Sequence, residues 1–262
     1  MSILLKLEGV TLALGGREVL HDVSFGVQRG ETKVILGASG SGKSTILKLI
    51  LGLIRPDRGS IRINGRDTTQ LDERELQHCC REHMAMVFQN AALFDSLTVR
   101  ENVGYRLWER GTRSGDEIEK IVEESLRFVG LDDVLEKMPA ELSGGMRKRV
   151  GIARALASGA EVILYDEPTA GLDPINTCLI TRLILKLKAQ HVTQIVVTHD
   201  LKTADSVAES ILMIQRGRVI FEGTSQEMKQ SHDQEVRFFI DPGCRFDHEH
   251  EATVLPRPAT PP

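Results

Sequence analysis

Aromatic residues are scarce in this chain: one Trp, two Tyr and eight Phe among 262 residues, 4% in all. A protein that stacks unpaired bases needs aromatic platforms, so that class is disfavoured. No charge of one sign dominates either. Lys and Arg number 33 against 37 Asp and Glu, a net charge of −4, which argues against gripping nucleic acid through bulk positive charge. Long apolar runs are missing as well. The longest, residues 46–54, is interrupted by Lys48 and falls well short of the ~18 residues of a membrane span. The first 14 residues carry Lys6 and Glu8 inside their apolar stretch and do not read as a signal peptide. Four cysteines, Cys79, Cys80, Cys178 and Cys244, show no C-x-x-C spacing, which points to a reducing cytosol rather than a disulfide framework.

What is present is a globular composition, 41% hydrophobic and 27% charged, in which aliphatic residues must supply the core. Residues 3–12 and 19–27 alternate apolar and polar and read as strands about a Gly15-Gly16 turn. Residues 33–36 form a short apolar strand, followed by a glycine-rich loop and an apolar helix over 43–51. Strands are expected at 60–63 and 84–88, the first closed by Asn64-Gly65. The middle is helical. Thr98 and Glu101 make a capping box, Ile118, Ile121, Val122, Leu126 and Val129 share one helical face, and a further helix runs from near Ser143 to about Ala157. Residues 162–165 and 194–198 are continuous apolar runs of the kind buried in parallel sheets. A hairpin through Arg216-Gly217 and a capped helix at 224–227 close the regular part, and residues 241–262 turn to Pro, His and acidic residues. The order is that of an α/β nucleotide-binding core with an inserted helical subdomain.

Residues 37–44 fit the phosphate-loop pattern G-x-x-x-x-G-K-[ST] between a strand and a helix. Gly37, Ala38, Ser39, Gly40, Ser41 and Gly42 allow the backbone to turn its N–H groups onto phosphate oxygens. Lys43 reaches the β/γ-phosphates, the Ser44 hydroxyl is a ligand for Mg²⁺, and Thr45 continues the helix whose positive end faces the anion. Asp166 closes an apolar strand, where parallel sheets place their ligands, and is a second Mg²⁺ ligand. Glu167 follows as the candidate general base for an attacking water. Leu142-Ser-Gly-Gly-Met146 supplies a second anion site through Ser143, Gly144 and Gly145. One nucleotide cannot occupy two loops on different faces, so the economical arrangement is a dimer in which Ser143–Gly145 of one copy closes over the ATP of the other.

With these motifs, residues 3–230 strongly resemble an ABC-transporter ATPase. The resemblance implies a P-loop NTPase (RecA-like) α/β core with an N-terminal antiparallel β subdomain. It divides the chain into a nucleotide-binding domain over 1–240 and an extension over 241–262. Within the domain the core covers about 1–92 and 160–230, and the helical subdomain about 93–159. It further implies that Gln89 contacts Mg²⁺ or the lytic water, that Asp173 lies in the loop joining the two ATP sites, and that His199 contacts the γ-phosphate. Two positions depart from the family pattern. Leu14 stands where an aromatic usually stacks on adenine, so nucleotide selectivity is expected to be loose. Met146 replaces the usual Gln and is followed by Arg147-Lys148-Arg149, read as a solvated helix face.

The stretches 142–150 and 88–98 look like those of Mla/Mce-type (MlaF-like) lipid-transport ATPases. That resemblance implies a homodimer working with integral membrane permease subunits, a small regulatory subunit and a substrate-binding Mce-type protein, on the cytoplasmic face of the bacterial inner membrane. Leu93, Phe94 and Leu97 would form the apolar floor for the permease's coupling helix. Importers of amino acids or other small solutes are the alternative. A non-transport ABC ATPase fits less well, since the chain has one cassette and no sustained heptads. The tail residues Cys244, Asp247, His248 and His250 match no strong zinc spacing. The Phe238-Phe239-Ile240 patch, with the tail beyond it, is expected to help hold the dimer.

Overall fold

The computed structural model describes residues 2–241. Tail residues 242–262, with the metal-spacing reading and the tail part of the dimer-holding reading, lie outside the described residues; the Phe238-Phe239-Ile240 patch lies inside them, and Phe239 and Ile240 pack on the chain's own core. Two sheets carry the architecture. The first is antiparallel, in the order β2 (Arg17–Gln28), β1 (Ile3–Leu14), β4 (Arg58–Ile63), β5 (Arg66–Asp67). The second has six strands in the order β10 (Arg218–Gly223), β9 (Ser210–Gln215), β3 (Thr32–Leu36), β8 (Thr193–Thr198), β7 (Val162–Asp166), β6 (Met84–Val87). Its strands β9 through β6 run parallel, and β10 returns antiparallel on the edge.

Every residue of β3 and β8 is buried, as expected of central strands covered on both faces. Alternation then assigns side chains to two cores. Ile35, Ile195, Val197 and Leu164 join β1, β2, α1 (Lys43–Ile50) and α2 (Glu73–His83) on one side. Val34, Leu36, Val196 and Tyr165 join the helices α3 (Val99–Arg110), α4 (Gly115–Phe128), α5 (Gly144–Ala157) and α6 (Pro174–Ala189) on the other. The buried polar groups between strands are satisfied. Tyr165 donates its hydroxyl to Gln194 Oε1 at 2.9 Å, and Gln194 Nε2 donates to Thr32 Oγ1 and the Ile184 carbonyl, each at 3.1 Å.

Apart from α1, the α-helices of the described residues start at side-chain caps. Thr98 and Glu101 form the capping box of α3, as their spacing predicts, and Ser114 with Glu117 does the same for α4. Three shorter helices, α7 (Leu201–Val207), α8 (Ser225–Gln230) and α9 (Gln234–Ile240), finish the described chain. The sequence gives no helical signal strong enough to predict α7. It is seven residues long, and its start depends on Asp200 accepting from the Lys202 and Thr203 backbone. No helix among the described residues is long and apolar enough to cross a membrane.

Candidate functional site

Four buried residues, Val162 to Tyr165, fix β7 between β6 and β8 and deliver Asp166 to the C-terminal edge of the parallel sheet. At about 1.5–3 kcal/mol per large buried side chain, that anchor outweighs the roughly 1–3 kcal/mol cost of a left-handed residue. The next residue needs it, because Glu167 sits at φ 48°. Its backbone N–H is held by the Val197 carbonyl at 2.9 Å, so the turn is fixed from β8. One oxygen of Glu167 lies 2.9 Å from His199 Nδ1, and the other accepts from Thr198 Oγ1 at 3.2 Å.

The glycine loop approaches from β3. A Cβ on Gly37 would fall 2.2 Å from the Ile214 carbonyl oxygen, and Gly42, at φ 108°, would strike Leu20 at 2.7 Å. Neither position admits a side chain. Gly42 starts α1 with no side-chain cap, leaving the helix's first N–H groups for a ligand. Lys43 is buried. Its Nζ donates to the Gly37 and Ala38 carbonyls at 2.8 and 2.9 Å and stands 3.9 Å from Glu167. Burial pushes its pKa down, opposed by Glu167 and Asp166. Ser44 Oγ donates to Asp166 Oδ1 at 3.1 Å. Burial raises the Asp166 carboxyl, with the Ser44 hydrogen bond pulling the other way. Ser41 Oγ is buried without a hydrogen-bond partner, an orphan of the kind an incoming phosphate oxygen satisfies.

The structure thus brings together Gly37 to Thr45, Asp166, Glu167 and His199. Gln89 lies two residues beyond β6, whose register pairs Val87 with Tyr165, so its backbone stands at the same sheet edge; its side chain is exposed. Ser143, Gly144 and Gly145 are elsewhere. Ser143 caps α5 by accepting from the Met146 N–H at 3.2 Å, and Gly145 lies so close to Asn176 that a Cβ would meet its Oδ1 at 2.3 Å. Asp173 caps α6 through the Ile175 and Asn176 N–H groups, each at 2.9 Å. None of these four residues lines either cavity beside the phosphate loop.

Three readings need correction or completion. The basic run is a solvated face only in part: Arg147 is exposed and Arg149 partly so, but Lys148 is not. Lys148 is buried and donates to the Pro168 and Ala170 carbonyls at 3.0 and 2.5 Å; Arg149 reaches the Val129 and Gly130 carbonyls, and Arg147 that of Leu142. The sequence signal for Lys148 was its place on the apolar face of α5 with Gly145, Ile152 and Ala155. Leu93 is partly buried against the helical-side core and lines no part of the neighbouring apolar groove, whereas Phe94 does, together with Phe88, Tyr105 and Arg106. Leu97, also partly buried, is not among the groove's lining residues. Leu14, at the β1–β2 turn, is about half exposed and lines neither cavity at the phosphate loop.

The family model described as "ABC transporter" matches residues 20–170. The chain is 38% identical over 238 residues to the Haemophilus influenzae "Intermembrane phospholipid transport system ATP-binding protein MlaF", covering 90% of each chain. It is 38% identical over 242 residues to the Mycobacterium leprae "Probable ribonucleotide transport ATP-binding protein mkl", covering 92% of this chain and 70% of that one. Among solved structures, an ATP-binding cassette captured as a dimer in a post-hydrolysis state with ADP and Pi superposes with a TM-score of 0.77 at 37% identity, over 84% of this chain and 98% of that one.

Proposed function

The chain belongs to the ABC transporter family, and from that premise we propose how its residues divide the work of an ATP-binding, ATP-hydrolysing transporter subunit. The observation that carries the reading is the placement of Glu167: 2.9 Å from His199, 3.9 Å from Lys43, and directly after the Asp166 that accepts from Ser44. Residues 37–45 hold the phosphates, with Lys43 and the uncapped start of α1 supplying positive charge and Ser41 Oγ an open hydrogen-bonding group. Glu167 takes the proton of the attacking water, and His199 orients its carboxylate and reaches toward the γ-phosphate. Ser44, Asp166 and Gln89 are all oxygen donors, the set that suits Mg²⁺, and burial has raised the Asp166 carboxyl in a way that a cation reverses. When bound, Mg²⁺ neutralises phosphate charge as it develops.

A second copy completes each site. Its Ser143–Gly145 covers the nucleotide and its Asp173 loop links the two sites, which accounts for the absence of all four residues from the cavities around their own phosphate loop. The core over about 1–92 and 160–230 binds nucleotide; the helical region over about 93–159 receives a membrane permease. The cargo is lipid, supported by the 38% identity to the Haemophilus influenzae MlaF over nine-tenths of each chain. The groove lined by Phe88, Phe94 and Tyr105 takes the permease's coupling helix. The subunit sits peripherally on the cytoplasmic face of the bacterial inner membrane, with a small regulatory subunit and an Mce-type protein in the assembly. Purifying the native complex in detergent, identifying its partners and reconstituting it in phospholipid vesicles tests this. ATP hydrolysis should accompany lipid movement, and a co-purified amino-acid permease would refute the lipid assignment.

A further inference from the structure

Two cavities meet at the phosphate loop. One, of about 690 Å³, includes Glu167 and His199 in its lining; the other, of about 800 Å³, includes Arg17, Ser41 and Phe238. Ala38, Ser39 and Phe239 line both, so the two adjoin. A nucleotide with its phosphates on the loop and its terminal phosphate toward Glu167 has the second cavity open to its base.

The aromatic wall of that cavity comes from α9. Asp233 caps this helix by accepting from the Glu235 and Val236 N–H groups at 2.8 and 3.1 Å. Val236 is fully buried, and Phe239 and Ile240 pack on the same core. That i, i+3, i+4 spacing places the three on one face, and Phe238 lies about 200° around the axis from Val236. Anchoring one phenylalanine inward therefore holds the other out: Phe238 is 65% exposed and lines the cavity. We propose that Phe238 is the base-binding residue of this nucleotide site, its ring covering the adenine face that Leu14 leaves without an aromatic partner. The proposal rests on the nucleotide-site reading above. Arg17, on the same cavity, offers a guanidinium plane as a second stacking surface. A phenyl ring carries no hydrogen-bond code, so it accepts any purine.

The test is calorimetric titration of the full-length chain with ATP and with inorganic tripolyphosphate, which has the phosphates and no base. The native chain should bind both, ATP more tightly. F238A should weaken ATP about tenfold, the scale of one lost base–aromatic stack, and leave tripolyphosphate unchanged. Because Phe238 is outside the core, F238W should keep ATP affinity, and its added indole fluorescence should respond to ATP but not to tripolyphosphate. Unchanged ATP affinity in F238A, or equal weakening of both ligands, overturns the role of Phe238 while leaving the nucleotide site standing. A native chain that binds neither ligand overturns the site and the proposal with it.

Discussion

Two helices of this molecule begin at glycine-rich turns, and they begin differently. Helix α1 starts at Gly42 without a side-chain cap, and around its open end stand Lys43, Ser44, Asp166 and Glu167. Helix α5 starts at Ser143, whose hydroxyl already accepts one of the helix's own N–H groups, and the side chain against it is Asn176 rather than a cation. The basic residues that follow are turned onto carbonyls of their own chain. The contrast teaches where chemistry can be finished within one chain. Strands β3, β7 and β8 are buried on both faces, so their C-terminal ends meet at one edge and bring charged groups from distant sequence together. A helix on the outer layer lacks those neighbours, and under the proposed function its Ser143–Gly145 end serves the nucleotide of a second copy.

The largest effect should come from disturbing the finished side. Glu167→Gln keeps the hydrogen bonds to Thr198 and His199 within reach but cannot take a proton. Turnover should fall roughly 10²–10⁴-fold, the scale of a lost general base, with ATP still bound, and an ATP-loaded dimer should accumulate in size-exclusion chromatography. Near-native turnover would remove Glu167 from this role and make the edge of the sheet a binding site only.

That finished side was also the legible one. The phosphate loop announces itself because glycine, lysine and serine are required at fixed positions by the backbone path, and Asp166 and Glu167 because an apolar run ends abruptly in two carboxylates. The outer layer was harder. Arg147, Lys148 and Arg149 look alike in sequence, yet one is buried and all three serve as braces, since whether a cation finds carbonyls depends on loops far along the chain. The same holds for Leu93 and Phe94, adjacent and both apolar, of which one packs on the core and the other lines a groove. In α9 the identity of two phenylalanines was plain, but which one packs on the core and which stays exposed beside the phosphate loop is set by the burial of Val236.

Lys148 joins the two regions, and removing it sharpens the comparison. From α5 it holds the carbonyls of Pro168 and Ala170, in the turn directly after Glu167. Lys148→Met keeps the stem's packing and leaves two carbonyls without their donor, at about 1–3 kcal/mol. If part of that loosens the turn, kcat should drop about tenfold, the equivalent of ~1.4 kcal/mol in the barrier, while KM for ATP stays within roughly twofold. A changed KM with unchanged kcat would mean the brace serves nucleotide binding and not the position of the base.

The smallest expected effect is the most direct test of whether α5's open end belongs to a neighbouring copy. Lys43→Ala damages the finished region and Ser143→Arg the unfinished one, the latter by placing a bulky cation at the cap. Each change can be placed on a different copy and the mixed dimer isolated with two affinity tags. If a site is made from the phosphate loop of one copy and Ser143–Gly145 of the other, both defects fall on the same site. The other site then has an intact loop and an intact Ser143, and equilibrium dialysis should find one tightly bound ATP per dimer where the native dimer holds two. If each copy closes its own site, each site carries one defect and no tight binding survives. The readout is a change of stoichiometry from two to one against two to none, independent of whether hydrolysis needs both sites. A mixed dimer with no bound ATP would place Ser143–Gly145 over the nucleotide of its own chain and end the distinction between the two regions.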